Sequence, residues 1–151
     1  VRKRRNVYRK STHGIRYVGS MKMCFGVKGM RCSVHKRIKF VGTVYDQEWM
    51  KKIQKEAYGY FHGHEVGGTN PSLLETLGFT KLNLLLKVGF NEEGAEDAAL
   101  YWTKEEGNLV ALIDYCETMD REPFGMKAKK RIKTAYSWEF ISSRYKELCG
   151  K

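Results

Sequence analysis

The sequence predicts an α/β fold, a parallel β-sheet flanked by helices and completed by C-terminal helices, and three observations carry that prediction. Short β-prone runs alternate with helical stretches from Ile38 onward, the order expected of a parallel sheet. The run Leu82, Leu84, Leu85 and Leu86 is nearly continuous in apolar character, as a strand covered on both faces requires. The chain has 151 residues, 42% of them hydrophobic, which suits one domain with a core and leaves no room for two.

The elements follow in order. Ile38, Phe40 and Val41 form a β-prone run that Gly42 ends, and Asp46 then opens a helix with Trp49, Met50 and Ile53 on one face. Tyr58 to His62 is the next strand, followed by the turn Val66-Gly67-Gly68-Thr69-Asn70. Pro71, a favoured first helical residue, opens the helix through Leu77. Lys81 to Val88 holds a further strand and Ala98 to Trp102 a short one. Thr103 and Glu106 are spaced as a capping box for a helix with Leu109, Leu112, Ile113 and Cys116 on one stripe. Ala128 to Ala135 is basic and helix-prone, and Ser137 caps a last helix in which Trp138, Ile141, Tyr145 and Leu148 recur at near-helical spacing. The simplest reading of Trp138, Ile141 and Tyr145 is core.

Charge is unevenly spread. The formal net charge is +11, yet residues 1–39 hold 13 basic side chains and no acid, leaving 15 basic against 17 acidic in residues 40–151. Residues 1–37 have no sustained period of 2 or 3.6, so they read as a basic leader ahead of a domain spanning 38–151. Arg2-Lys3-Arg4-Arg5 with Tyr8, Arg9 and Lys10 suits a polyanion. No helix-turn-helix, zinc or RNA-binding signature accompanies it, so nucleic acid is not the expected partner. A non-catalytic module with a polyanion-binding arm is the alternative to the enzymatic reading below. The longest apolar run is too short to span a bilayer and no signal-peptide core is present, which predicts a cytoplasmic protein. The basic arm allows peripheral association with the inner face of a membrane. Cys24, Cys32, Cys116 and Cys149 are widely spaced with no C-x-x-C, as expected of reduced, unconnected thiols.

The stretch from His62 to Glu75 carries the chemistry. It is a strand end, a Gly-rich turn and a helix start, where ligands bind in parallel sheets. Gly67 and Gly68 let the backbone approach a ligand, and free N–H groups at a helix N-terminus favour an anion, a diphosphate above all. Glu75, about one turn beyond Pro71, can accept hydrogen bonds from vicinal hydroxyls such as those of a ribose. An ordinary β-α turn with a solvated Glu75 fits the same local pattern. His62-x-His64-Glu65 puts both imidazoles on one strand face, but no third ligand is marked and H-E-x-x-H is absent, so no metal is expected. No Ser-His-Asp or Cys-His constellation marks a hydrolase.

Several separated motifs occur together and in order: Ile38-Lys39-Phe40-Val41-Gly42-Thr43-Val44-Tyr45-Asp46-Gln47, the run His62 to Glu75, Lys81-Leu82-Asn83-Leu84-Leu85-Leu86, Glu96 to Trp102, and Tyr136-Ser137-Trp138-Glu139-Phe140. Over about three quarters of its length the chain thereby resembles the C-terminal half of bacterial family 4 glycosyltransferases, particularly rhamnosyltransferase-like members that build capsule and surface polysaccharides. The resemblance implies a GT-B architecture, in which two Rossmann-like domains face a cleft and the C-terminal one holds a nucleotide-sugar donor. It implies transfer of a sugar such as rhamnose to a glycan or lipid-linked acceptor, with no metal or other cofactor.

The resemblance puts Glu75 at the second glutamate of the family's E-x7-E motif, which binds the donor ribose. Gly67 stands at the first-glutamate position and departs from the motif, leaving Glu65 as the candidate acid near the donor sugar. Gly68, Thr69 and Asn70 match the turn that approaches the diphosphate and sugar, His64 borders it, and Val44 and Tyr45 lie where the family's loop flanks the nucleobase. Lys87 and Glu92 stand where close relatives have an acid and a base respectively. The resemblance gives the last helix a part in joining the two domains, so that its exposure in an isolated half would favour self-association. Nothing in residues 1–37 matches the family's acceptor domain or its diphosphate-neutralising Arg and Lys pair. The expectation is a donor half that transfers little or no sugar alone.

Overall fold

The computed structural model describes residues 5–10, 16–21, 38–40 and 45–150, with side chains described over 45–150. Val41, Gly42, Val44, Cys24, Cys32 and the start of the basic run at Arg2, Lys3 and Arg4 lie outside the described residues.

The sheet has six strands, β1 (Arg5–Lys10), β2 (Arg16–Met21), β3 (Ile38–Phe40), β4 (Gly59–His62), β5 (Asn83–Leu86) and β6 (Leu100–Trp102), in the order β3-β1-β2-β4-β5-β6. Strands β2, β4, β5 and β6 pair in parallel, whereas β1 is antiparallel to both its neighbours. The sheet is therefore mixed, not wholly parallel as the alternation implied. The antiparallel strand β1 and its neighbour β2 come from the basic leader, where charged residues interrupt the apolar alternation that would mark a strand.

Helices α1 (Gln47–Glu56), α2 (Pro71–Phe79), α3 (Gly89–Ala95), α4 (Asn108–Thr118), α5 (Glu122–Ala135) and α6 (Trp138–Cys149) follow, with a short 3-10 turn over Glu96–Ala98. Asp46 caps α1, its Oδ1 accepting from the N–H groups of Glu48 at 2.9 Å and Trp49 at 3.1 Å. Ser137 Oγ likewise accepts from the Phe140 N–H at 3.1 Å to start α6. Both caps are the ones the sequence marks.

The core has two halves, one on each face of the sheet. Leu85 of β5 joins Leu73 and Leu77 of α2, Ala95, Ala98, Ala99 and Ala128 of α5 on one face. Leu84 points the other way, joining Leu82, Ile113 and Cys116, with Phe61, Leu100 and Trp102 packed alongside. The alternation of Leu84 and Leu85 between faces follows from the two-residue period of a strand. Each fully buried leucine contributes roughly 1.5–3 kcal/mol of transfer free energy.

Three local expectations need correction. The Thr103–Glu106 capping box does not form: α4 starts later, behind Gly107 at φ 81°. Asn108 Oδ1 instead accepts from the Thr103 N–H at 2.8 Å, which turns the chain before the helix begins. Helix α5 starts at Glu122, six residues before Ala128, with Pro123 in its first turn. Trp138 and Tyr145 are not core: α6 buries no residue, and both are well exposed.

Candidate functional site

The strand order defines where a crevice can lie. After β2 the chain passes to β3 on one side of the sheet, and after β4 it passes to β5 on the other. Connections that leave two adjacent parallel strands in opposite directions open a crevice at their carboxyl ends. Here those ends are Met21 and His62, and Ser20 pairs with His62 in the register. The Gly-rich turn leaves β4 at this point.

Tyr60, His62 and His64 follow one another at two-residue spacing. The Tyr60 and His62 rings lie 5.8 Å apart between centroids, and His62 and His64 are also 5.8 Å apart. His62 is buried, and its Nδ1 lies 3.2 Å from the Tyr60 hydroxyl. Burial, with the neighbouring His64 in support, pushes His62 down to about 4, so the ring is neutral near pH 7. Its Nε2 is buried without a hydrogen-bond partner. Phe90 of α3 meets the His64 ring edge-on at 6.3 Å.

Asn91, also on α3, ties the carboxyl ends of two strands together. Its Nδ2 donates to the Leu86 carbonyl at 2.9 Å and to the His64 carbonyl at 3.2 Å. Its Oδ1 is buried and unpartnered, as is Trp102 Nε1 at the end of β6. Three of the four buried, unpartnered side-chain polar atoms among the described residues thus sit toward this edge of the sheet. Such atoms carry a desolvation cost that a water or polar ligand would offset.

The turn itself departs from the sequence expectation in one respect. The first turn of α2 has no free donors: Pro71 has no N–H, Asn70 Oδ1 accepts from the Ser72 N–H at 3.0 Å, and the Asn70 carbonyl takes the N–H groups of Leu73 and Leu74. The helix N-terminus is satisfied by its own cap. In the turn, the N–H groups of Gly67, Gly68 and Thr69 donate to no group among the described residues. All three residues are exposed. Gly67 has φ 122°, a conformation that L side chains rarely adopt. A turn of open amides ahead of a helix dipole suits an anion.

The remaining predicted residues are placed as follows. Asn70 serves as the α2 cap, and Glu75 stands on the exposed side of α2, one turn beyond Pro71. Glu65 is exposed and forms an ion pair with Lys104, on the loop after β6. Lys87 is exposed and Glu92 half-buried. Tyr45 is exposed just before the α1 cap. Strand β3 is separated from β4 by β1 and β2, roughly 14 Å at ordinary strand spacing. Helix α1 compensates by packing against α2, with Thr80 Oγ1 donating to the Gln54 carbonyl at 3.0 Å where both helices end. The two helices run in the same direction, so Tyr45 and the Gly-rich turn lie at the same end of the pair.

Sequence reasoning missed Phe90, Asn91 and Lys104. Phe90 and Asn91 sit on α3, seven residues holding two glycines, too short for a helical period to register. Lys104 pairs with Glu65 across 39 positions, and no local pattern signals such a contact. Among the described residues no group of His, Cys, Asp and Glu side chains is placed to hold a metal ion, and no helix is long and apolar enough to cross a membrane. Comparisons with protein-family models, curated proteins and solved structures find no match to this chain.

Proposed function

We propose that residues 38–151, together with the strands β1 and β2 that complete their sheet, are the donor-binding half of a GT-B glycosyltransferase of family 4, holding a nucleotide-diphosphate sugar at the crevice beyond β2 and β4. The observation that supports this reading most is the exposed turn Gly67-Gly68-Thr69, with its unpartnered N–H groups, at the point where the strand connections diverge. The motifs shared with the family supply the substrate class.

In this reading the turn amides hold the diphosphate and the α2 dipole adds to their field. Glu75 accepts from the ribose hydroxyls, and Tyr45 flanks the base. Glu65 is the acid beside the donor sugar, oriented by Lys104. The neutral His62 lies under the turn and supports His64. Catalysis in the parent enzyme is electrostatic: as the bond from the sugar to the diphosphate breaks, preorganised donors stabilise the charge on the departing phosphate, and the sugar passes to a hydroxyl of a glycan or lipid-linked acceptor.

Calorimetric titration of the chain with UDP, dTDP and GDP tests the reading. Saturable binding of at least one is expected, and absence of binding to all three would overturn a donor site formed by this chain.

A further inference from the structure

Strands β4, β5 and β6 are parallel neighbours, so the chain leaves all three at one edge of the sheet: into the Gly-rich turn after β4, into α3 after β5 and into a loop after β6. Hydrogen bonds fix where the outer two segments begin. The Lys87 N–H donates to the Trp102 carbonyl at 2.8 Å, which carries the β5–β6 pairing to the last residue of β6, and the Thr103 N–H then donates to Asn108 Oδ1 at 2.8 Å. On the β4 side, the His64 carbonyl is held by Asn91 Nδ2 at 3.2 Å.

Between these anchored ends Lys104 Nζ donates to Glu65 Oε1. Strand β6 stands two places from β4, roughly 10 Å at ordinary strand spacing, with the end of β5 between them. The ion pair therefore draws the ammonium back across β5 toward the turn, two residues before Gly67. Both side chains are more than half exposed, and such a pair contributes little to stability. Glu65 takes one of the three ammonium protons, which leaves two donors for a ligand. Lys87, exposed where β5 ends, is the other lysine on these three segments.

We propose that Lys104 binds the terminal phosphate of a nucleoside diphosphate, held in place by Glu65, and so makes the site select diphosphates over monophosphates. The order of elements along the sheet edge assigns the phosphate. Tyr45 opens the crossover from β3, on one side of the turn, and Lys104 follows β6, on the other. A nucleotide with its base beside Tyr45 and its ribose at Glu75 runs its phosphates across the turn amides toward β6. The phosphate nearer the ribose meets the amides, and the farther one meets the ammonium. This inference rests on the donor-site reading above.

The test is calorimetric titration of the full chain with UDP, dTDP and GDP and with the corresponding monophosphates, for the wild type, Lys104→Gln, Glu65→Gln, the double variant and Lys87→Gln. The wild type should bind its preferred diphosphate at least about 10-fold more tightly than the monophosphate. Lys104→Gln should weaken the diphosphate about 10-fold and change the monophosphate less than about 2-fold. The same loss should appear in the Glu65→Gln background, because an amide oxygen still accepts from the ammonium. All the variants should keep the wild-type far-UV circular dichroism, since the altered side chains are exposed. A wild-type chain that binds none of the three diphosphates would remove the donor site and this inference with it. Wild-type binding that Lys104→Gln leaves unchanged, or weakens equally for both phosphate lengths, would overturn this inference alone. So would a loss that disappears in the Glu65→Gln background, which would make Lys104 a positioning residue for Glu65, or a selective loss of the diphosphate in Lys87→Gln instead.

Discussion

Tyr60 and His62 occupy the same face of β4, with the Tyr60 hydroxyl 3.2 Å from His62 Nδ1 and His62 Nε2 left buried and unpartnered. Whichever ring nitrogen carries the proton, the second polar atom of the imidazole is unsatisfied. Protonating the ring would add an uncompensated charge beneath the turn.

This fixes a pH dependence. His62 titrates at about 4 in the folded chain against 6.5 when unfolded, so between those values the unfolded chain binds more protons and stability falls as pH drops. The loss approaches about 3 kcal/mol once the pH is below both values. Urea denaturation from pH 7 to pH 4 should show the decline, and His62→Gln should flatten it. An equal slope in the variant would place the pH dependence elsewhere.

The two turn glycines should respond differently to alanine. Gly67 has φ 122°, so Gly67→Ala should cost about 1–3 kcal/mol from backbone strain alone, the new Cβ meeting His64 Nε2 at an ordinary 3.7 Å. Gly68 has open space and no such φ, so Gly68→Ala should change stability by less than about 0.5 kcal/mol. The same strain applies to Gly67→Glu. Thermal or chemical unfolding separates the variants.

Packing predicts a second contrast. A Cβ at Gly125 of α5 would sit 3.2 Å from the Lys81 Cα, and backbone cannot swing aside as a side chain can. Gly125→Ala should therefore destabilise by about 1–3 kcal/mol. Gly78 in α2 has nothing within 4 Å, so Gly78→Ala should stabilise by about 0.5–1 kcal/mol through helix propensity. Equal effects at the two positions would contradict the α5 packing described above.

Asn91 should prove the clamp of the crevice. Asn91→Leu leaves the Leu86 and His64 carbonyls without its donor, a loss of about 1–3 kcal/mol. Hydrogen exchange across 63–70 should quicken in the variant more than exchange in α5. Uniform quickening would make Asn91 a general packing residue.

The sequence made the middle of the fold legible for identifiable reasons. Tyr58 to His62, the glycine turn, Pro71 and the leucine run each carry a local signal, and β4, α2 and β5 appear where those signals place them. Asp46 and Ser137 cap as read. What failed was set by contacts distant in sequence or by very short elements. Asn108 took the Thr103 N–H that the capping box would have required to be arranged otherwise. The amphipathic period of α6 reads as core, yet period alone does not say whether a stripe meets the chain's own core or another surface. At the site, the glycines and Glu75 were visible as residue types, whereas the capture of the α2 N–H groups by Asn70 emerges only from geometry.

The central claim is that Gly67, Gly68 and Thr69 bind a diphosphate while Glu75 holds the ribose. The most direct test is the amide spectrum of the labelled chain titrated with UDP, dTDP and GDP, for the wild type and for Glu75→Ala. The account predicts saturable shifts of the three turn amides with at least one nucleotide, and at least about 10-fold weaker binding after the substitution. Shifts confined to the basic leader, or turn shifts of the same affinity in Glu75→Ala, would contradict it.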